Sequence, residues 1–376
     1  MRVLLNTKPL IFTNKTGVGY YVCNLYRALQ ENGLDVVPTL SDDAGALINA
    51  LSRVSCFVRR HAGSWYSSVA TKIGDPLVRR LSRKAEAKSV FDLYHETSLD
   101  PIPPESAVCV CNIYDLSFIS YPQYVKGDFA GYARTSVTEN SKIAKRIIVN
   151  TRFVKGEVMD ILKIPEDRID VIPLAPQSIQ LPKSPGTSGS KWSGAFNGKD
   201  YILYVGSVEP RKNLMALIRA FGITRQTYDV SLCIAGGLSH SYEEIFRCLD
   251  ELGIRKDVVF TGYINEEELM DLYRNATVFV YPSLYEGFGL PPLEAMTCGV
   301  PVVISSIEPL TEVSGSAALS FSPNDYEELS DILNRVISSP SLREDMVRKG
   351  SERVKDFSWT KTAEATIKTY ARALSG

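Results

Sequence analysis

The segment Thr277-Val278-Phe279-Val280-Tyr281-Pro282-Ser283-Leu284-Tyr285-Glu286-Gly287-Phe288-Gly289-Leu290-Pro291-Pro292-Leu293-Glu294 decides how this chain is read. Its apolar start, 277–282, reads as a strand, and Leu293-Glu294-Ala295-Met296 reads as helix. The residues between are therefore a Gly-rich turn that opens a helix. Backbone N–H groups at a helix start lack intrahelical partners and form a seat for an anion. Glu286 and Glu294 stand eight residues apart across this turn. Carboxylates accept hydrogen bonds from sugar hydroxyls, so phosphates on the amides and hydroxyls on the acids together suit a nucleotide sugar. The same residues also fit a turn with two solvated glutamates, and the remainder of the chain decides between the two.

With 376 residues the chain is long for one core, and two domains are expected. Hydrophobic residues at 44% and charged residues at 23% place it among soluble globular proteins. A net charge of −1 gives no global attraction to nucleic acid. The seven cysteines are odd in number and scattered, without a CxxC, and Cys109-Val110-Cys111 alternates along a strand. Reduced thiols in a cytosolic protein are expected, not a disulfide frame or zinc site. His61, His95 and His240 lie far apart, so no metal-ligand cluster is expected. The run Arg2-Val3-Leu4-Leu5-Asn6 starts directly as a strand, so no signal peptide is expected. No apolar run approaches the ~20 residues that span a bilayer. The protein is expected to be soluble or attached to a surface.

Outward from the signature turn, strands and helices alternate. Val3–Asn6, Phe91–His95, Val108–Ile113 and Ile147–Val149 read as strands, with helices at Gly19–Asn32 and Ser136–Lys145. Residues 178–199, rich in Pro, Gly and Ser, break the pattern and read as a linker. The alternation restarts with strands at 201–205, 231–235, 258–261, 278–281 and 302–304. Helices are expected at Leu214–Phe221, Tyr242–Leu252, Glu266–Arg274, Leu293–Thr297 and Trp359–Leu374. The fold class is therefore α/β, with two doubly wound, Rossmann-like domains facing across a cleft. The expected division is 1–177 for the N-terminal domain and 200–356 for the C-terminal domain. Residues 357–376 would form a helix that crosses back to the N-domain.

Three loops add chemistry. Strand 201–205 runs into Gly206-Ser207-Val208-Glu209-Pro210-Arg211-Lys212-Asn213. Arg211 and Lys212 can neutralise a departing diphosphate, Arg gripping two oxygens and Lys acting as a point charge. They also fit a solvated loop with two surface cations. Gly17 and Gly19 after the first strand allow close approach of a phosphate or sugar, or simply form a helix start. Gly262-Tyr263-Ile264 follows another strand and either offers backbone groups to a nucleobase or is an ordinary loop.

Glu286 and Glu294 in an EX7E arrangement, Arg211-Lys212 within EPRKN, Gly17/Gly19 and the two-domain layout together resemble glycosyltransferase family 4. The run EGFGLPPLEAMTCGVPVV is the most specific part of the match, which spans nearly the whole chain. The closest subgroup resembles bacterial mannosyltransferases of O-antigen and exopolysaccharide assembly. The resemblance implies a GT-B fold and a retaining transfer that uses no bound metal and no cofactor beyond the donor. By position, Glu294 matches the ribose-holding glutamate and Glu286 the one near the transferred sugar. Phe288, Gly289 and Leu290 match the turn whose amides meet sugar and diphosphate. Arg211 and Lys212 match the diphosphate pair, Ser207 lies in the same donor loop, and Ile264 lies where the family contacts the base. Related proteins usually carry a His-Asp pair where this chain has Tyr114-Asp115. Either Tyr114 reshapes the sugar pocket or another residue takes the contact. His95 beside Glu96 is assigned to the acceptor or sugar side, though an isolated histidine also fits a hydrogen-bonded loop residue. Asp115 fits either the general base that takes the acceptor proton or a structural carboxylate.

Residues 46–90 hold nine Lys/Arg against two acids, Asp75 and Glu86, with Trp65, Tyr66 and aliphatic residues interleaved. Such a surface fits anionic phospholipid, or a solvated charged face. No nucleic-acid motif accompanies it. The expected function is transfer of a hexose, mannose from GDP-mannose, to a lipid-linked or oligosaccharide acceptor in cell-surface polysaccharide biosynthesis. The expected site is the cytoplasm, peripheral on the inner face of the plasma membrane. A nucleotide-sugar epimerase and a non-catalytic sugar-binding subunit are the alternatives on this architecture. The missing G-x-G-x-x-G after any early strand argues against a nicotinamide enzyme.

Overall fold

The computed structural model describes residues 1–11, 17–39, 91–102, 108–125, 127–176, 192, 194–196, 198–238 and 242–376. The basic segment 46–90 with His61, residues 178–191 of the expected linker, and His240 lie outside the described residues.

Among the described residues two sheets of six strands are formed, and every strand-to-strand ladder in them is parallel. The first holds β1 (Arg2–Leu5), β2 (Asp35–Pro38), β3 (Leu93–Glu96), β4 (Cys109–Asn112), β5 (Arg146–Val149) and β6 (Ile169–Val171), ordered β2-β1-β3-β4-β5-β6. The second holds β7 (Tyr201–Val205), β8 (Ser231–Ala235), β9 (Val258–Gly262), β10 (Val278–Tyr281), β11 (Val302–Ser305) and β12 (Ala318–Phe321), ordered β12-β11-β10-β7-β8-β9. This is the expected doubly wound α/β architecture, repeated.

Central strands read as unbroken apolar runs because helices cover both faces of a parallel sheet. All residues of β4, β8 and β10 are buried accordingly. The sequence reading omitted β2, β6 and β12, and all three are edge strands. An edge strand is partly open, so DVVP, IDV and ALSF carry too few apolar residues to stand out. The helix expected at 136–145 spans Gly127–Ile143, and the helices Arg152–Leu162, Tyr326–Ser338 and Pro340–Arg353 were not read from sequence.

Strand order reverses between β1 and β3 in one sheet and between β7 and β10 in the other. A crevice opens beyond the strand ends at such a reversal. The loops after β7 and β10 meet there, and Leu284 N–H donates to the Arg211 carbonyl at 2.9 Å.

The last helix, Trp359–Ser375, lies against the helix Gly17–Glu31 and near β4 and β5 of the first sheet. Ser358 caps it by accepting from Lys361 N–H. Trp359 Nε1 donates to the Pro176 carbonyl at 3.1 Å and Thr362 Oγ1 to the Pro173 carbonyl at 2.9 Å. Asp170 on β6 receives Thr369 Oγ1 at 2.9 Å and Arg372 at 2.8 Å. Among the described residues, no helix is long and apolar enough to cross a membrane.

Candidate functional site

A cleft of ≈ 670 Å³ opens between the two sheets' carboxyl ends and is lined from both halves. It brings together Gly17, Tyr114 and Asp115 from the first half with Ser207, Arg211, Lys212, Ile264, Glu286, Phe288, Gly289, Leu290 and Glu294 from the second. Two residues singled out in the sequence are elsewhere. Gly19 is buried in the first turn of its helix, and His95 lies in the core of the first half.

The cations come from a single 3-10 turn, Pro210–Lys212, directly before the helix Leu214–Thr227. Lys212 Nζ donates to Glu286 Oε1 at 2.6 Å and to the Tyr281 hydroxyl at 2.8 Å. Arg211 reaches Glu286 Oε2 at 3.3 Å and Glu209 Oε1 at 2.9 Å. Burial alone would push the Glu286 carboxyl up, but Lys212 and then Arg211 overcome it and hold the group at about 2. Burial pulls the Lys212 ammonium down and Glu286 opposes that fall. The result is a desolvated patch of two cations whose charge is balanced by Glu209 and Glu286 and poised beside an anion seat. Removing one partner of such a pair leaves a buried charge alone, which is the expensive case.

The turn after β10 has its shape imposed by two glycines. Gly289 sits at φ 95°, a backbone region that side chains avoid. A Cβ at Gly287 would run into the Tyr114 carbonyl oxygen of the opposite half. Leu290 then starts the helix Leu290–Thr297, with Pro291 and Pro292 in its first turn, where a missing N–H costs nothing. Glu294 lies one turn in and accepts from the Tyr273 hydroxyl at 3.1 Å. Burial, with Glu266 adding to it, pushes Glu294 up to about 7 against the pull of Tyr273. Its carboxyl therefore changes charge near neutral pH. Gly262 pairs with Gly236 beside it and leads to Ile264 at the far end of the cleft.

On the opposite wall Tyr114 turns its hydroxyl away from the cleft and donates to the Thr97 carbonyl at 2.7 Å. Its ring meets Tyr21 edge-on, with centroids 5.4 Å apart. Tyr114 thus borders the cleft with its ring and not with its hydroxyl. Asp115 Oδ1 accepts from Ser117 N–H at 2.9 Å and Ser117 Oγ at 2.7 Å, which fixes the carboxylate at the cleft edge.

The assignment of His95 to the acceptor or sugar side is corrected here. The ring is 0% exposed. Its Nε2 meets Asn112 Oδ1 at 2.6 Å and its Nδ1 meets the Tyr370 hydroxyl at 2.7 Å. Asn112 Oδ1 accepts, so Nε2 carries the proton and Nδ1 accepts from Tyr370. Burial lowers the imidazole to about 4, with Asn112 resisting, so it is neutral and both nitrogens are used. His95 holds the last helix to the first half.

Tyr281, Glu209, Tyr273 and Gly287 were missed as functional neighbours. Tyr281 looks like a strand residue and Tyr273 like a helix residue, and neither pattern signals a partner 69 or 21 positions away.

The pattern of the family described as glycosyl transferases group 1 matches residues 190–353. The chain is 31% identical to the O-antigen chain mannosyltransferase B of Escherichia coli over 98% of this chain and 99% of that protein. It is 29% identical to the serotype-specific mannosyltransferase WbdA of Escherichia coli over 76% of this chain, a match to 36% of that longer protein. Among solved structures it resembles Anabaena HepE in complex with UDP and glucose, with a TM-score of 0.71 at 16% identity over 99% of this chain and 100% of that one. The sucrose-phosphate synthase of Thermosynechococcus elongatus gives a TM-score of 0.72 at 19% identity over 100% of both chains. The two facing sheets are thus a GT-B fold.

Proposed function

Because the chain belongs to the glycosyl transferases group 1 family, we propose that it is a retaining mannosyltransferase that takes mannose from GDP-mannose. The acceptor is a lipid-linked or oligosaccharide glycan of a growing cell-surface polysaccharide. The names of the two Escherichia coli relatives support the sugar and the pathway class. The observation that carries the reading is the Arg211-Lys212-Glu286 cluster at the mouth of the Gly-rich turn.

In this reading the second half binds the donor and the first half the acceptor. Glu294 accepts the ribose hydroxyls, the backbone at Gly262–Ile264 meets the base, and the amides of Phe288, Gly289 and Leu290 receive diphosphate and sugar. Ser207 lines the same donor loop and Gly17 faces the phosphates from the first half. As the sugar bond breaks, charge grows on the diphosphate, where Arg211 and Lys212 stabilise it in a water-poor cleft. Two protein cations take the part that a metal plays elsewhere. The acceptor attacks from the face the diphosphate leaves, which retains configuration, and Asp115 takes its proton. The basic segment 46–90, outside the described residues, suits an anionic membrane surface on the cytoplasmic side, where a lipid-linked acceptor would be met.

The test is calorimetry of GDP, UDP, ADP and NAD with a chelator present, followed by mannose transfer from GDP-mannose with product anomer analysis. Tight binding of GDP and an α-retained product support the reading. Binding of NAD alone, or of nothing, would defeat it.

A further inference from the structure

Tyr285 precedes Glu286 in the donor turn, yet its side chain lies in the opposite half. It is 2% exposed. Its ring packs on Tyr121 and Phe153 of the first half, with centroids 5.1 and 5.9 Å away. The phenol donates to Glu157 Oε2 at 2.5 Å and accepts from Leu116 N–H at 2.9 Å. Glu157 is itself held by Ser120 Oγ at 3.0 Å. Leu116 directly follows Asp115. On the other side, the Tyr285 carbonyl accepts from Arg211 Nη1 at 2.9 Å. One residue therefore joins the diphosphate cations, the Glu286 turn and the Asp115 loop. A second bond across the cleft, Thr151 Oγ1 to the Gly287 carbonyl at 2.9 Å, lies two residues along.

We propose that Tyr285 is a positioning residue: its phenol, seated between Glu157 and Leu116, sets the distance across the cleft between the donor turn and Asp115. A phenol has one O–H to give and lone pairs to receive, and here both are used on the far half. A misplacement of about 1 Å between reacting groups costs on the order of 100-fold in rate. A rigid ring that spans the gap is a direct way to avoid it. The proposal rests on the glycosyltransferase reading for its kinetic consequence, though not for its structural one.

The experiment compares the full-length protein with Tyr285→Phe, Glu157→Gln and Glu157→Leu. It measures GDP affinity, transfer kinetics from GDP-mannose, and amide exchange at Leu116. Tyr285→Phe keeps the ring and removes the hydroxyl. Expected are at least tenfold faster exchange at Leu116, at least tenfold lower kcat, and a GDP Kd within threefold of the parent. Glu157→Gln keeps an acceptor for the phenol and retains kcat within threefold, whereas Glu157→Leu removes that acceptor and lowers kcat at least tenfold, with the Leu116 bond to the phenol oxygen still in place. Parental kcat or parental Leu116 exchange in Tyr285→Phe overturns the proposal, as does a loss of GDP affinity equal to the loss of kcat. If the parent transfers sugar from no nucleotide donor, the enzymatic reading fails, and Leu116 exchange decides the positioning role by itself.

Discussion

Lys212 Nζ stands 2.6 Å from Glu286 Oε1, and this buried pair ties the loop after β7 to the turn after β10. Truncating Lys212→Ala leaves the Glu286 carboxylate buried without its nearest cation. Stability should fall by about 3–5 kcal/mol, and kcat by roughly 100- to 1,000-fold, the usual size for a lost anion-stabilising donor. Urea unfolding and steady-state transfer report the two losses separately. A variant with parental stability and turnover would remove Lys212 from the site.

The same pair sets an acid limit. Glu286 is held at about 2, against an ordinary value of 4.5, by the two cations. Its folded value is depressed, so the stability it adds is present above pH 4.5 and is lost as pH falls towards 2. The amount is on the order of 3 kcal/mol. Glu286→Gln should show a correspondingly shallower loss of stability between pH 5 and 2, measured as the urea midpoint against pH.

Glu294 behaves in the opposite sense, since burial raises it to about 7. Ribose hydroxyls donate hydrogen bonds, so the ionised carboxylate is the form that receives them. GDP affinity should rise through pH 7 and level off above pH 8. At pH 6 it should be weaker than at pH 8 by up to about tenfold, the fall in ionised fraction between those two values. Glu294→Gln should bind more weakly at pH 8 and lose this part of the pH dependence. Calorimetry of both proteins from pH 6 to 8.5 separates the carboxyl from titration of the nucleotide itself.

Gly287 has no room for a side chain, because a Cβ would meet the Tyr114 carbonyl oxygen. Gly287→Ala should therefore push the halves apart at the reacting centre. Expected are a destabilisation of about 1–3 kcal/mol and a fall in kcat of about 100-fold, with GDP Kd within threefold. Equal loss of GDP affinity would show that the turn itself had collapsed.

His95 and Tyr370 form a buried bond of 2.7 Å between β3 and the last helix. Tyr370→Phe leaves His95 Nδ1 without a donor and should cost about 1–3 kcal/mol, while kcat stays within threefold. His95 is lowered to about 4, so its contribution to stability is lost as pH falls from 6.5 to 4. A His95→Gln variant that keeps parental stability but loses turnover would return this residue to the substrate side.

The second half was legible because its signals are local. VFVY, the Gly-rich turn and the helix that follows are contiguous, as are the strand YILYV and Arg211-Lys212. Buried parallel strands announce themselves as apolar runs, and only a few residue types satisfy a tight turn. The edge strands at Asp35–Pro38, Ile169–Val171 and Ala318–Phe321 carry no such run. His95 was misread because a lone histidine looks the same in a wall as in a pocket, and its partners are 17 and 275 positions away. Tyr285 was invisible for a similar reason: its neighbours come from Leu116, Tyr121, Phe153 and Glu157, which only the folded chain gathers.

The return of the helix Trp359–Ser375 to the first sheet also dictates when the molecule can be finished. His95 leaves the ribosome 275 residues before Tyr370. At about 5–20 residues per second, that is an interval of roughly 15 to 55 seconds. Throughout it, the niche around His95 and Asn112 lacks its cover, and polar groups destined for the interior remain open to water. The half made first therefore waits for a segment made much later, and a nascent chain halted before the helix Trp359–Ser375 leaves His95 without its Tyr370 partner.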